Sequence, residues 1–186
     1  MGTFCECMNP VSVLDYRYGT EKMRNIFRAD SYLQFLLEVE ATLAEVQETK
    51  GIIPKKSAKD IRRACSSVKR KRVEEIEVEI NHDIMAVVKA LEEKSGESGK
   101  WIHFGATSYD IVDTARALQH KQAITLIENA IEKLIDALGA LAKKHRETVM
   151  LGRTHGQWAT PVTFGLKMAV FLSELSRHKQ RLVEIK

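Results

Sequence analysis

A long, uninterrupted helical period is the feature that most constrains the fold of this chain. From Ser108 to about Thr148, apolar residues recur at three- and four-residue spacing, and no proline lies among them. At a rise of about 1.5 Å per residue, one helix of this length would span about 60 Å, which is too long for a compact small domain. The pattern therefore predicts an elongated helical bundle and association of the chain into a homo-oligomer.

Helices are also predicted for most of the remaining chain. The 186 residues contain just three prolines, and no segment alternates polar and apolar residues for long enough to predict a well-formed sheet. Ser31 is the expected N-cap of the first helix and Gly51 its expected stop, and Asn81 is the expected cap of a later helix. The predicted helices cover residues 31–50, 56–66, 73–80, 82–93 and 108–148, followed by one that begins after Pro161. The expected fold class is all-α, with an N-terminal helical region and the start of a long-helix bundle.

Three stretches are expected along the chain. Residues 1–10 include a second plausible start at Met8, and they are expected to be a tag or a disordered leader. Residues 11–107 would form an N-terminal helical domain, and residues 108–186 would form the first long helices of a central bundle. Because the last apolar pattern is still running near Lys186, this bundle is expected to be truncated.

The composition favours a small anionic ligand over a nucleic acid or a membrane. Lys and Arg number 29 against 25 Asp and Glu, which is a mild net charge of +4. The densest basic run, residues 69–72, is followed at once by glutamates, and no interleaved aromatic residues could stack on bases. The three cysteines have no metal-ligand spacing, and neither a secretory leader nor an apolar run of about 18 residues occurs. We expect a cytoplasmic protein with no nucleic-acid partner, no membrane partner and no metal.

Two polar segments at the ends of the long helix are the main candidate sites, and both are expected to be turns. The first, residues 101–110, places His103 shortly before the paired hydroxyls of Thr107 and Ser108. Free N–H groups and the positive end of the helix dipole make a helix start a favourable carboxylate site. Simple capping of the helix, with Asp110 as the acid of a capping box, is the alternative interpretation.

The second polar segment, residues 152–161, is a candidate for acid–base chemistry. It places His155 between Thr154 and Gly156, with Gln157 next. An imidazole can donate a proton near neutral pH, which suits a general acid. A loop histidine that is satisfied only by backbone groups is the alternative interpretation.

Two further places carry candidate residues. His82 opens a predicted helix, and its neighbour Asp83 could fix the tautomer of the imidazole, with a purely structural role as the alternative. Near the N-terminus, Arg17 could bind a phosphate with its planar guanidinium group, and Tyr18 could add a hydroxyl donor. An ordinary N-terminal tether is the alternative there. The remaining histidines, which are expected on helix surfaces and are assigned no role, are His120, His145 and His178.

Taken in order, these segments resemble the fumarase/aspartase superfamily and, within it, the branch that cleaves adenylosuccinate. The matching blocks are Arg17-Tyr18, His82-Asp83, the segment from His103 to Asp110 and the segment from Arg153 to Pro161. The resemblance covers nearly the whole chain from about Val11, and several blocks in order are more specific than any one of them. It implies a long-helix bundle of the fumarase/aspartase type.

The resemblance implies a β-elimination that breaks a C–N bond and releases fumarate without a cofactor. The substrates would be adenylosuccinate, which gives AMP, and the succinylated aminoimidazole carboxamide ribotide of purine biosynthesis. By carry-over, His155 would protonate the departing nitrogen and His82 would assist. The substrate contacts would come from Arg17, Tyr18, Asp83, His103, Thr107, Ser108, Thr154 and Gln157.

One block of the superfamily is absent from this sequence. The flexible loop of the type Gly-Ser-Ser-x-Met-Pro, which carries the serine base, does not occur in the 186 residues. Because superfamily active sites combine blocks from three subunits of a tetramer, the chain is expected to be a fragment that is inactive alone. Argininosuccinate lyase or a cycloisomerase of the same superfamily is one alternative, and a non-catalytic helical scaffold is another.

Overall fold

The computed structural model describes residues 18–186, and most of them are helical. The chain divides into two compact units, of which the first ends at His120 and the second begins at Lys121. In chain order the elements are α1 (Glu21–Ile26), α2 (Ala29–Thr49), α3 (Ser57–Cys65), α4 (Arg70–Ile80), α5 (Asp83–Ser95), a 3-10 helix (Gly96–Trp101), α6 (Ser108–Lys144), β1 (Val149–Thr154), β2 (Gln157–Thr163) and α7 (Phe164–Ile185). The expected all-α fold is confirmed, with one small two-stranded sheet added to it.

The core of the first unit is formed by α2, α3, α5 and the start of α6. Leu37, Ile61, Leu91 and Ile111, one from each of these helices, have almost no exposed surface. Short helices such as α3 are marginal in isolation, because nucleating a helix costs more than a few hydrogen bonds return. Burial of their apolar faces, at about 25 cal/mol per Å² of apolar area, is what stabilises them here.

The start of α2 differs from the sequence prediction. The helix begins at Ala29 with Arg28 in the N-cap position, so Ser31 is not the cap. The Ser31 hydroxyl instead donates to the carbonyl oxygen of Asn25, at 2.5 Å. Gly51 lies just past the helix end with a φ of 72°, as expected for a stop residue.

Asn81 also has a different place from the predicted one. It ends α4 in the left-handed conformation, with a φ of 52°, rather than capping α5. Asparagine tolerates this backbone conformation better than most residues, because its short polar side chain bonds locally. The N-cap of α5 is therefore His82.

A β-hairpin replaces the turn that the sequence predicted for residues 152–161. Its strands, β1 and β2, pair antiparallel, with Val149 opposite Thr163 and Thr154 opposite Gln157. The register shifts between Leu151 and Arg153, as in a β-bulge. Both strands are largely exposed, so they lack the polar–apolar alternation that marks a half-buried strand in a sequence.

The long helix is confirmed, and it ends somewhat earlier than predicted. α6 stops at Lys144 rather than near Thr148, because strand β1 begins at Val149. α7 then starts directly after β2, and the Thr163 hydroxyl caps it by accepting from the N–H of Leu166 at 3.1 Å. Within residues 18–186, none of the helices has the length and apolar character that crossing a membrane requires.

Candidate functional site

A tight turn between the 3-10 helix and α6 holds His103. The backbone of His103 has a φ of 60° and that of Gly105 a φ of 71°, so the chain reverses through two left-handed residues. The N–H of Ala106 donates to the His103 carbonyl oxygen at 3.2 Å and closes the turn. A histidine in this conformation is uncommon, and such strain persists only where the surroundings hold it.

Glu40 of α2 is what holds His103. The backbone N–H of His103 donates to Oε2 of Glu40 at 3.2 Å, and the imidazole Nδ1 lies 2.6 Å from Oε1. The Glu40 side chain is fully buried and that of His103 is 12% exposed. Burial raises the pKa of Glu40, while the hydrogen bonds and the charge of His103 oppose that rise.

Gln47 holds the next residue of the same turn. Its Nε2 donates to the carbonyl oxygen of Phe104 at 2.6 Å, while its buried Oε1 has no hydrogen-bond partner in the described part of the chain. The sequence analysis missed Glu40 and Gln47. They could have been found as two polar residues, seven apart, on the apolar face of a predicted helix. Polar groups that are buried on such a face need hydrogen-bond partners.

The start of α6 presents two hydroxyls and free backbone N–H groups. The N–H of Thr107 donates to Oδ2 of Asp110 at 2.9 Å, so Asp110 acts as the acid of a capping box. The hydroxyls of Thr107 and Ser108 make no hydrogen bond to residues 18–186. Thr107 is exposed and Ser108 half-buried. A helix start with unused donors in this arrangement suits a carboxylate or a phosphate group.

His82 and Asp83 form a second polar helix start in the first unit. Nδ1 of His82 accepts from the N–H of Met85 at 3.3 Å, which places the proton of the neutral imidazole on Nε2. Oδ1 of Asp83 lies 3.5 Å from the same Nδ1 and accepts from the N–H of Ile84 at 2.8 Å. Met85 rather than Asp83 therefore sets the tautomer that the sequence analysis assigned to Asp83.

Tyr32 of α2 connects this helix start electrostatically with α6. Burial raises the pKa of the Tyr32 hydroxyl, Arg116 opposes that rise, and Asp83 and Asp113 add to it. Sequence analysis singled out neither Tyr32 nor Arg116, since their proximity depends on tertiary packing.

The hairpin of the second unit carries His155 at its tip. His155 has a φ of 51° and Gly156 a φ of 72°, with Thr154 paired to Gln157 on either side. Two central residues with positive φ define the type I′ turn, whose twist suits a hairpin. All four side-chain positions are exposed, and the His155 imidazole makes no hydrogen bond to the described residues. The turn thus exposes the His155 imidazole to solvent, and no hydrogen bond within the described residues gives it a structural role.

The N-terminal candidates are only partly described. Arg17 lies outside the described residues. Tyr18 is exposed, and its carbonyl oxygen accepts from Nη1 of Arg24 at 3.2 Å. The role of Tyr18 as a hydroxyl donor to a ligand stays a prediction.

The structure brings together some of the predicted residues. In the first unit, His103, Thr107 and Ser108 share one turn, while His82 and Asp83 lie at a separate helix start. In the second unit, one hairpin turn joins Thr154, His155 and Gln157. Within the range that the structure covers, residues 18–186, no group of three or more His, Cys, Asp or Glu side chains could hold a metal ion.

A cleft of about 300 Å³ lies elsewhere in the first unit, between α4 and α5. It contains none of the predicted site residues. Two of the side chains that line it, Arg72 and Glu93, are paired to each other at 2.6 Å. We assign this cleft no part in the candidate site.

The chain is similar to a family of lyases. The model of a lyase family matches residues 15–186. The adenylosuccinate lyase of Pyrococcus abyssi is 51% identical over 178 residues, which are 95% of this chain and 40% of that protein. The chain therefore spans about two fifths of the length of that relative.

Two solved structures superpose closely on the chain. A fumarate lyase from Mesorhizobium sp. BNC1 has a TM-score of 0.82 and 42% identity, over 90% of this chain and 41% of that one. A 3-carboxy-cis,cis-muconate lactonizing enzyme from Pseudomonas putida has a TM-score of 0.84 and 36% identity, over 92% and 41% of the two chains. Since the family model covers nearly the whole sequence, the chain belongs to this lyase family.

Proposed function

We propose that this chain contributes the His103 turn and the His155 hairpin to a lyase that releases fumarate from adenylosuccinate and from the succinylated aminoimidazole carboxamide ribotide of purine biosynthesis. The observation that carries the proposal is that both segments have polar side-chain groups that are not used in hydrogen bonds within the described residues. The hydroxyls of Thr107 and Ser108 and the imidazole of His155 have no hydrogen-bond partner in residues 18–186. The similarity to the adenylosuccinate lyase of Pyrococcus abyssi supports the choice of substrate.

In the proposed reaction, a base removes the proton next to a succinyl carboxylate of the substrate. The electron pair of that C–H bond first remains on the carbon and its carboxylate as a carbanion-like state, and it then forms the new double bond as the C–N bond breaks and fumarate leaves. His155 donates its proton to the departing nitrogen, which gives AMP from adenylosuccinate. Thr107, Ser108 and Thr154 would stabilise the extra negative charge that builds up on the carboxylate before the C–N bond breaks.

The remaining roles are assigned by carry-over from the resemblance. His82 would assist His155, with Asp83 beside it. His103 and Gln157 would contact the succinyl part of the substrate, and Arg17 and Tyr18 its phosphate. The proposed base is a serine in a loop that these 186 residues do not contain, so the reaction belongs to a longer chain of the relatives' length.

A homo-oligomer is the proposed working form, and the cytoplasm its proposed location. Exposed apolar side chains in the second unit, such as Leu134, Val170 and Phe171, support association with further helices. No cofactor, nucleic acid or membrane enters the proposed mechanism.

A cycloisomerase of the same superfamily is the second candidate. The close superposition on the muconate lactonizing enzyme favours it. That reaction also passes through charge development next to a carboxylate, so the helix start of α6 would serve it equally well. Identity to this chain is lower for the lactonizing enzyme than for the Pyrococcus abyssi lyase, which favours the purine substrate.

The test uses a protein of the relatives' full length that carries this segment, and follows fumarate release from the two succinylated substrates and the consumption of carboxymuconate. Adenylosuccinate, argininosuccinate and carboxymuconate are offered in parallel. His155→Asn is the informative variant, because asparagine accepts the left-handed turn conformation but cannot protonate the leaving group. His178→Asn, on the surface of α7, is the matched control.

We expect fumarate only from the succinylated purine nucleotide, with kcat reduced about a hundredfold or more in His155→Asn and unchanged in His178→Asn. Turnover of carboxymuconate instead would favour the cycloisomerase. Full activity in His155→Asn would exclude His155 as the acid.

A further inference from the structure

Glu40 is a buried acidic residue to which the proposed mechanism gives no role. The Glu40 side chain has no exposed surface. A carboxylate at that depth is costly unless its oxygens receive hydrogen bonds, so a residue of this kind is retained for a contact rather than for packing. The contact is with a residue that the proposed substrate site already includes.

The geometry of the pair determines which imidazole nitrogen is protonated. Oε2 of Glu40 accepts from the His103 N–H, and Oε1 lies 2.6 Å from Nδ1. Burial raises the pKa of Glu40, and the hydrogen bonds and charge of His103 oppose that rise and favour the carboxylate. With Glu40 ionised, both of its oxygens are acceptors, and Nδ1 carries the hydrogen of the contact. Nε2 is then the nitrogen that a ligand meets, as an acceptor in the neutral ring and as a donor in the imidazolium.

Gln47 limits the freedom of the same turn. It binds the Phe104 carbonyl oxygen from two helical turns beyond Glu40 along α2, so both residues lie on the same face of that helix. With its backbone and Nδ1 both held, the imidazole has little freedom to rotate. α6 begins five residues later at Ser108, so the held ring precedes the helix start directly.

From this geometry we infer that Glu40 is a positioning residue, which keeps His103 protonated at Nδ1 and presents its Nε2 to an anionic group of the substrate beside the start of α6. The identity of the substrate rests on the proposed function, whereas the tautomer does not. A buried carboxylate behind an imidazole stabilises the imidazolium that forms when Nε2 takes up a proton or donates to an anion.

The first test measures the tautomer of His103 in the 186-residue chain by long-range ¹H–¹⁵N correlation spectroscopy. We expect a proton on Nδ1 in the wild type. Glu40→Gln offers one acceptor and one donor, so it cannot accept from both the backbone N–H and Nδ1, and we expect the imidazole proton to move to Nε2. Glu45→Gln, the same change on the exposed side of α2 facing Arg62, should leave the tautomer unchanged.

A wild-type His103 protonated only at Nε2 would overturn the inference, and so would an unchanged tautomer in Glu40→Gln. Because Glu40 is buried, its variant could fail to fold. The wild-type spectrum decides the question in that case, together with Glu40→Asp, which keeps the carboxylate and should keep the proton on Nδ1.

The second test measures kcat/KM for fumarate release in the full-length protein. We expect a loss of about ten- to a hundredfold in Glu40→Gln, partial recovery in Glu40→Asp and no change in Glu45→Gln. An active wild type with an equally active Glu40→Gln would refute the positioning role. An inactive wild type would refute the proposed function, while the tautomer measurement would still decide the role of Glu40.

Discussion

The Cys65 thiol shows how burial changes the chemistry of a single residue. Its Sγ lies 3.3 Å from the Ile61 carbonyl oxygen in a half-buried position, and burial raises its pKa from 9.0 to about 11. At pH 8 its thiolate fraction is therefore about a hundredfold smaller than that of an ordinary thiol. We expect alkylation of Cys65 by iodoacetamide to be slower by at least that factor, as measured by peptide mass spectrometry at several pH values.

The urea-unfolded chain is the control for Cys65 and should react at the ordinary rate. Between pH 9 and 11 the unfolded chain loses the thiol proton while the folded chain retains it, so the free energy of unfolding should fall as the pH rises through this range. Rapid alkylation of the folded chain at pH 8 would show that the thiol is accessible and ionised.

Residue roles could be predicted from sequence only where they depend on near neighbours. The contact of Asp110 with the N–H of Thr107 was predicted, because the two residues are three apart. The contact of Glu40 with His103 was not, because 63 residues separate them and only the packing of α2 against the turn brings them together. The hydrogen bond from the Met85 N–H to His82 also joins residues three apart and could have been predicted. The sequence analysis instead chose the adjacent Asp83 as the partner of His82.

At the scale of elements, the join between α6 and α7 depends on Gly165. A Cβ at this position would lie 2.6 Å from both the carbonyl oxygen of Ala142 and the Cα of Arg146, which are backbone atoms and cannot move aside. We expect Gly165→Ala to lower the free energy of unfolding by about 1–3 kcal/mol or more, as measured by urea denaturation.

Gly139, in the interior of α6, is the matched control for this join. A Cβ there would meet only the Leu172 side chain, at an ordinary 3.9 Å. Gly139→Ala should therefore stabilise the chain by about 0.5–1 kcal/mol, because alanine loses less backbone entropy in a helix. Equal effects of the two substitutions would contradict the close approach at Gly165.

Helices were more predictable than strands in this chain for a physical reason. The apolar period of α6 repeats over ten turns, so a few irregular positions do not hide it. The hairpin offers only two short, exposed strands with a bulge at Gly152, and its turn is His155-Gly156 rather than the common Asn-Gly. The hairpin is stabilised by hydrogen bonds between backbone groups, which produce no clear pattern of side chains in the sequence.

The whole molecule distributes its buried surface unevenly between the two units. Among the described residues, the buried apolar side chains lie before His120, apart from Ala123 and Met168. α7 leaves Val170, Phe171 and Val183 exposed, so little apolar burial stabilises it within its own unit. Local opening should therefore need less free energy in the second unit than in the first.

We expect hydrogen exchange, followed by mass spectrometry on the whole chain, to show amides of α7 and the hairpin exchanging well before those of α2, α3 and α5. Light scattering on the same samples gives the oligomeric state. Where the chain associates, protection of α7 should rise with concentration, because a second copy covers its exposed apolar side chains. Equal protection of both units in a sample shown to be monomeric would mean that the second unit is stable without a partner. The inference from exposed apolar surface to association would then be wrong.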